Sequence, residues 1–261
     1  MPPEPLLHPE IEAALAAALA PRDPAGSRWL LAFSGGPDSS ALAFLLARLA
    51  PGLGVELHFQ TEVADLAVLD DADLVLAADG VNSTLRARLA EHVRPAIDWR
   101  PNRFVWLGTT CPFRAFTFIF KADRHGLWRV HAYRYDDRHA TFILETTEAA
   151  WRRAGLDQAS EADTVAFAER LFGEELGGHR LLANRSLWRS FPTVRNQAWR
   201  HGRVVLVGDA AHTAHFSVGS GTKLAMEDAI ALAGALRRHA DVPAALAAYE
   251  AERRPEVEAL Q

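Results

Sequence analysis

Apolar residues follow two different rhythms along this chain. In residues 9–20, Ile11, Leu15 and Leu19 recur at helical spacing and predict an amphipathic helix. The run Pro21 to Gly26 breaks it. Trp29–Phe33 (WLLAF) predicts a short buried strand, residues 34–40 (SGGPDSS) a glycine loop, and residues 41–49 a helix. After a turn at residues 51–54, residues 55–59 alternate as a strand and residues 61–66 continue it as an extended segment. Residues 74–77 (LVLA) form an apolar, buried-type strand that runs into Asp79-Gly80, and residues 85–92 read as helix.

The pattern then changes. Residues 103–145 hold β-rich, aromatic runs (FVWLGTT, FTFIF, GLWRVHAYRY, ATFILE). They are separated by turn residues at Pro112, at 123–126 and at 136–139, which predicts an antiparallel meander. Phe104, Trp106, Phe116, Phe118, Phe120, Trp128 and Tyr133 would make a face suited to a flat aromatic ligand; the competing reading is that they are sheet core. Residues 147–174 return to helix, with Trp151, Leu156, Val165, Phe167 and Leu171 apolar, and residues 188–194 are extended. Residues 204–207 are a β-branched strand, Gly219 and Gly221 lead into a helix with Leu224, Ala225, Ile230, Leu232 and Ala233 apolar, and residues 244–260 form a charged last helix.

Composition narrows the classes. At 261 residues with 49% hydrophobic content, the chain can build a real core. The net charge of -5 and the scattered arginines argue against nucleic acid as a partner, and no apolar run is long enough to span a membrane. Cys111 is the single cysteine, so no intrachain disulfide is expected and a reducing, cytoplasmic setting is the default. The first residues lack a basic segment and carry acids, unlike a secretory signal. No metal site is expected.

Candidate chemistry concentrates in residues 203–236. A strand, the acid Asp209 after Gly208, a small-residue loop and a helix make a site for a large polyanionic or electron-poor ligand. The acid can accept hydrogen bonds from sugar hydroxyls. Gly219 and Gly221 let the backbone approach closely, and the helix start offers N–H groups and a positive dipole end.

A second glycine loop lies earlier. SGGPDS, residues 34–39, resembles the phosphate loop of the ATP pyrophosphatase family, and its flanks are most similar to the start of tRNA lysidine synthetases. That resemblance covers about residues 9–49. It implies ATP phosphates held by Ser34, Gly35, Gly36, Asp38 and Ser39, with Asp38 helping to place magnesium. The alternative it opens is an ATP-using enzyme acting on tRNA. The plainer reading of the same residues is a strand–helix unit that packs and binds nothing.

Two further motifs occur in order: Asp79-Gly80-Val81-Asn82-Ser83-Thr84-Leu85-Arg86 (DGxxSxxR) and Gly208-Asp209-Ala210-Ala211-His212 (GDAAH). With an aromatic sheet between them, they resemble the single-component flavoprotein monooxygenases, the FAD-dependent aromatic hydroxylases. RPNRFVWLGTT, FPTVRN and GDAAHTAHFSVGSGTKLAMEDA are most similar to the branch acting on aromatic acyl-CoA thioesters, the salicylyl-CoA 5-hydroxylase-like enzymes, from about Gly54 onward. The resemblance implies FAD, with NAD(P)H as electron donor and a small aromatic or aromatic-CoA substrate. It implies that Asp209 and Gly208 meet the ribityl or pyrophosphate region, and that Gly219, Ser220, Gly221 and Thr222 place amides by the flavin ring. Asp79 and Gly80 would touch FAD, Arg86 would hold their loop, and Val63 would sit by the adenine. His215 could face substrate or flavin, or be structural.

By that resemblance the expected fold is α/β (α+β overall). A truncated three-layer FAD-binding domain with a parallel sheet, residues 53–100 and 185–261, is joined to an antiparallel β-rich substrate domain, residues 101–184, with residues 1–52 as a strand–loop–helix segment. The family's opening GxGxxG fingerprint is absent after the early strand. A chimeric junction near residues 51–54 and a genuine replacement of one strand–loop–helix unit by another both account for this. A hydroxylase weakened in FAD binding, the tRNA enzyme and a non-catalytic fragment are the resulting alternatives.

Overall fold

The structure, a computed structural model, describes residues 29–33, 63 and 66–261. The expected helices at 9–20 and 41–49, the loop at 34–40 and the strand at 55–59 lie outside them. The chain divides into two compact units, one formed by residues up to Ile97 with Val194–Gln261, the other by Asp98–Thr193.

The first unit is built on a four-stranded sheet in the order β1-β2-β11-β10. β1 (Trp29–Phe33) runs parallel to β2 (Leu74–Ala78), and β2 runs parallel to β11 (Val204–Leu206). The short β10 (Arg200–His201) pairs antiparallel to β11. Leu74, Val75 and Ala77 of β2 are buried, so side chains of both alternations are covered, as expected of a parallel strand packed on both faces. Of the extended segment expected over residues 61–66 only Val63 and Leu66 are among the described residues, and Leu66 begins a 3₁₀ turn, Leu66–Leu69. Two short helices follow β2, α1 (Thr84–Arg88) and α2 (Ala90–Val93). The two long helices come last: α6 (Gly221–Arg238) and α7 (Val242–Glu258).

α6 buries Leu224, Ala231, Leu232 and Ala235, and α7 buries Ala245, Leu246, Tyr249 and Val257, in one cluster with β2 and β11. The small alanines bring the two helices close. α7 begins at Asp241, whose carboxylate accepts the Ala244 amide at 2.8 Å. Ile230, expected on the apolar side of α6, is 69% exposed. Its neighbours Leu224, Ala231 and Leu232 take the buried stripe and leave it outside.

The second unit is a five-stranded antiparallel sheet in the order β5-β6-β7-β4-β8. Its strands are β4 (Asn102–Thr109), β5 (Thr117–Asp123), β6 (Gly126–Arg134), β7 (Ala140–Thr147) and β8 (Leu181–Leu182). The two-residue β5–β6 turn is locked by Asp123, whose carboxylate accepts the amides of His125 and Gly126 at 2.8 and 3.1 Å and the Trp128 indole N–H at 2.8 Å. One sheet face, with Val105, Leu107, Trp128, Val130, Ala132, Phe142 and Leu144, packs on helices to form a second core. Sequence reasoning missed β8, β10 and β3 (Pro95–Trp99); β3 pairs with β9 (Pro192–Asn196), which overlaps the extended segment expected at 188–194. All are short and lack a run of alternation.

The helix expected over 147–174 is three helices: α3 (Glu148–Arg153), α4 (Glu161–Leu171) and α5 (Gly173–Leu176). Gly155 breaks the first with φ +72°, and Ser160 restarts the chain with a capping box to Asp163. Both signals are local and opposed a single helix. Trp128, one of the aromatics that could have been ligand face or sheet core, is fully buried on the core side. It alternates with Leu127 and Arg129 along β6, and the pleat sends it the other way. Among the described residues no helix is long and apolar enough to cross a membrane.

Candidate functional site

The C-terminal ends of three parallel strands fall level in the first unit, because Phe33 pairs with Ala78 and Leu206 with Ala77. In open α/β sheets ligands collect at this end, where loops replace the ladder. Asp79-Gly80 leaves β2 there and Gly208-Asp209 leaves β11.

Asp79 accepts the Leu85 amide on one carboxylate oxygen at 3.1 Å, while the other oxygen, Oδ1, is buried with no hydrogen-bond partner. Gly80 has φ +79°, which turns the chain away from the strand. Ser83 caps α1, its hydroxyl accepting the Arg86 amide at 2.9 Å. Arg86 is 4% exposed. Its guanidinium donates to the carbonyl oxygens of Ala210 at 3.0 Å, Asp209 at 3.4 Å and Val81. Burial pushes its pKa down, opposed by the Asp79 and Asp209 carboxylates. The two motif loops, more than a hundred residues apart in sequence, are thus bolted together by one cation.

The second loop is fixed from below. Gly208 has φ +59°, and a Cβ there would meet the Ala225 Cβ at 3.3 Å, so helix α6 passes directly beneath it. The Gly208 amide donates to Asp228 at 3.1 Å. Fully buried Asp228 also lies 2.6 Å from His212 Nε2 and accepts Arg253 Nε at 2.9 Å. Burial opposes charge on Arg253, but Asp228 and Glu227 outweigh it and raise its pKa. Thr213 and Asn196 add side-chain bonds between β9 and the loop, the hydroxyl of Thr213 accepting the Val194 amide at 2.8 Å and the Asn196 amide donating to the Ala211 oxygen.

Asp209 itself is exposed, at the tip of a 3₁₀ turn. Beyond it Gly219 (φ +66°) is exposed with open space at its Cβ position, as is Gly221, the first residue of α6. Ser220, the N-cap, makes no capping bond, and its hydroxyl is buried without a partner. Thr222 is exposed in the first turn. The first amides of a helix lack intrahelical acceptors, and eighteen residues align their dipoles behind them. Such a constellation accepts hydroxyl donors at Asp79 and Asp209 and favours negative charge at the start of α6.

His215 lies 2.7 Å from the Ser217 hydroxyl through Nδ1 and accepts the Ser217 amide on that atom at 3.3 Å. It therefore caps the turn Phe216–Val218. Val63 is half-buried and packs on the first unit's core. Ser34, Gly35, Gly36, Asp38 and Ser39 lie outside the described residues. Among the described residues no group of three or more His, Cys, Asp or Glu could hold a metal ion. Asp228 and Arg253 were missed from sequence; the signal was an acid on the buried stripe of α6, four residues after Leu224.

The second unit presents a separate feature. On the sheet face opposite its core, register places Phe120, Arg129, Glu145 and Phe104 in one row across the strands, and Phe118, His131, Ile143 and Trp106 in the next. Phe116 stacks on Tyr133 at 5.2 Å and 8°. Two aromatic columns, on β5 and β4, therefore flank two mixed ones, with Arg129 and His131 on β6 and Glu145 and Ile143 on β7. Glu145 is buried and receives Arg129 Nε and Asn102 Nδ2, each at 2.7 Å.

Residues 55–261 match the FAD binding domain family. The chain is 46% identical over 229 residues to a salicyloyl-CoA 5-hydroxylase of Streptomyces sp, covering 84% of this chain and 44% of that protein. It is 38% identical over 227 residues to a 3-hydroxy-4-methyl-anthranilyl-[aryl-carrier protein] 5-monooxygenase of Streptosporangium sibiricum, covering 87% and 60%. The chain therefore spans about half the length of these relatives. Its fold is similar to the tetrameric form of 2-methyl-3-hydroxypyridine-5-carboxylic acid oxygenase, with a TM-score of 0.64 at 22% identity over 84% of this chain and 62% of that one. With the paired loops, the parallel sheet and the antiparallel sheet in hand, the chain belongs to the FAD binding domain family that its hydroxylase and monooxygenase relatives share.

Proposed function

We propose that this chain carries the flavin-ring part of an FAD-dependent monooxygenase that hydroxylates an aromatic acyl-CoA thioester, with NAD(P)H as electron donor, in a reducing cytoplasmic setting. One observation carries the reading. The loops after β2 and β11 are joined through Arg86 and leave two buried oxygens without protein partners, Asp79 Oδ1 and Ser220 Oγ. A ligand with sugar hydroxyls and an electron-poor ring supplies what these atoms lack.

In this reading Asp209 and Asp79 accept hydroxyls of the cofactor, with Gly80 and Gly208 allowing the close approach and Arg86 holding the frame. Gly219, Ser220, Gly221 and Thr222 bring the amide end of α6 to the flavin ring, where the positive dipole end favours the reduced, more negative form. Val63 lies toward the adenine. When bound, FAD supplies the reduction and oxygen chemistry; the protein binds, orients and excludes water. The sheet face with Phe116, Phe118, Trp106 and Tyr133 suits a flat ring, and Arg129 and His131 between the columns suit its polar substituents. The relatives named for a CoA-linked and a carrier-linked aromatic acid support a thioester substrate.

The test is titration of the purified chain with FAD, followed by flavin absorbance and thermal shift. Stabilisation by FAD that falls in Asp209→Ala supports the reading. A wild-type chain that neither takes up flavin nor shifts its melting overturns it.

A further inference from the structure

The second unit holds a cavity of about 410 Å³ between the end of β4, the β6–β7 turn and the segment after α5. Arg134, Arg138, His139, His179, Thr110 and Asp137 line it. The turn is preformed: Asp136 accepts the amides of Arg138 and His139 at 2.7 Å each and lies 2.9 Å from His139 Nδ1. The Asp136 carboxyl is held below its usual range, first by His139 and then by the Arg138 amide. Its lone pairs are thereby taken up by the turn and make no ion pair with Arg134 or Arg138, while its charge stays beside them.

Among the described residues the Arg138 guanidinium has no hydrogen bond or ion pair. Arg134 donates Nη2 to the Asp137 main-chain oxygen at 3.1 Å and lies 3.7 Å from the Asp137 carboxylate, which is fully in solvent. Thr110 Oγ1 and His179 Nδ1, 3.1 Å apart, add a hydroxyl and an imidazole. Beside the cavity the exposed Tyr135 ring stacks on His139 at 6.0 Å and 13°. The Arg138 fork, with Arg134, two imidazoles and a hydroxyl beside it that exchange their present partners, gives one concavity donors suited to phosphate oxygens, Cys111 and Pro112 form its apolar wall, and a flat exposed ring suits a base.

We propose that this cavity binds the 3′-phosphoadenosine pyrophosphate end of coenzyme A; the proposal rests on the acyl-CoA reading above. Arg138 and Arg134 contact phosphate, and Asp137 is the counter-ion that the ligand displaces from Arg134. A carrier protein delivers pantetheine without this nucleotide end, so the cavity distinguishes free CoA from a carrier-bound substrate.

The full chain is titrated with CoA by calorimetry. Arg138→Ala and Arg134→Ala each weaken binding about tenfold, the loss expected for a charge-assisted phosphate contact, while melting temperature and FAD binding stay at wild type. Arg138→Lys recovers part of the loss, Asp137→Asn tightens binding about threefold, and 3′,5′-ADP competes where pantetheine does not. Unchanged CoA affinity in both arginine variants, or competition by pantetheine equal to that by 3′,5′-ADP, overturns the cavity assignment alone. A wild-type chain that binds no CoA overturns both it and the acyl-CoA reading, leaving FAD binding as the separate test of the flavin site.

Discussion

His212 Nε2 lies 2.6 Å from Asp228 Oδ2, and both side chains are buried. The same carboxylate holds the Gly208 amide and Arg253, so a histidine of the loop and an arginine of the last helix meet on one acid. Asp228→Ala leaves the Arg253 Nε–H, the Gly208 amide and His212 Nε2 without their buried partner, while Glu227 and Glu256 still hold the rest of the guanidinium. We expect a loss of about 3–5 kcal/mol in urea unfolding, the usual cost of breaking a buried pair from one side. Arg253→Met with Asp228→Leu costs less than the sum of the single changes, because the double variant leaves no lone buried charge. Additive losses would contradict the coupling.

Two glycines of the loop should behave differently. Gly208 and Gly219 both have positive φ, but only at Gly208 does a Cβ meet a neighbour, Ala225 at 3.3 Å. Gly219→Ala should cost about 1 kcal/mol from backbone strain alone, and Gly208→Ala more, since α6 must shift as well. Chemical denaturation of both variants gives the comparison, and equal losses would show that the helix yields freely.

Trp128 and Trp106 sit on opposite faces of one sheet. Trp128 is fully buried, its indole held by Asp123, whereas Trp106 is 47% exposed. Trp128→Ala should destabilise by about 3–5 kcal/mol. Trp106→Ala should change unfolding by less than about 1 kcal/mol and show itself in aromatic-ligand affinity instead. A reversal of the two would mean that the faces are misassigned.

Tyr249 gives a pH dependence. It is buried beneath β11 with its hydroxyl donating to the Leu206 oxygen at 3.3 Å, and burial, with Asp228 next, pushes its pKa well above the ordinary tyrosine value. The folded protein therefore binds this proton more tightly than the unfolded chain does. Its contribution is whole below the unfolded pKa of about 10 and is lost as pH rises from there toward the folded value. Urea midpoints measured on both sides of about pH 10 should fall more steeply for wild type than for Tyr249→Phe. Parallel slopes would refute the assignment.

Much of the site was legible because its signals are local. The buried run of β2 ends at Asp79-Gly80, and Gly219 and Gly221 announce the start of α6; each depends on a few adjacent residues. The break at Gly155 and the capping box at Ser160 were equally local, yet the apolar periodicity across 147–174 masked them. Arg86 was assigned to its loop from the motif, but its reach to Ala210 could not be read, since that contact spans 124 positions.

The sequence by itself determined the long strands of both sheets, the two last helices and the two loop motifs, because hydrophobic period and turn chemistry act over a handful of residues. Only the tertiary structure decided that Trp128 faces the core while Trp106 faces out, that Asp228 gathers Gly208, His212 and Arg253, and that Arg134 and Arg138 share a cavity with His179. Those outcomes depend on strand register and helix packing. Register turns a side chain to one face or the other, and packing brings together groups whose separation along the chain carries no trace of their meeting.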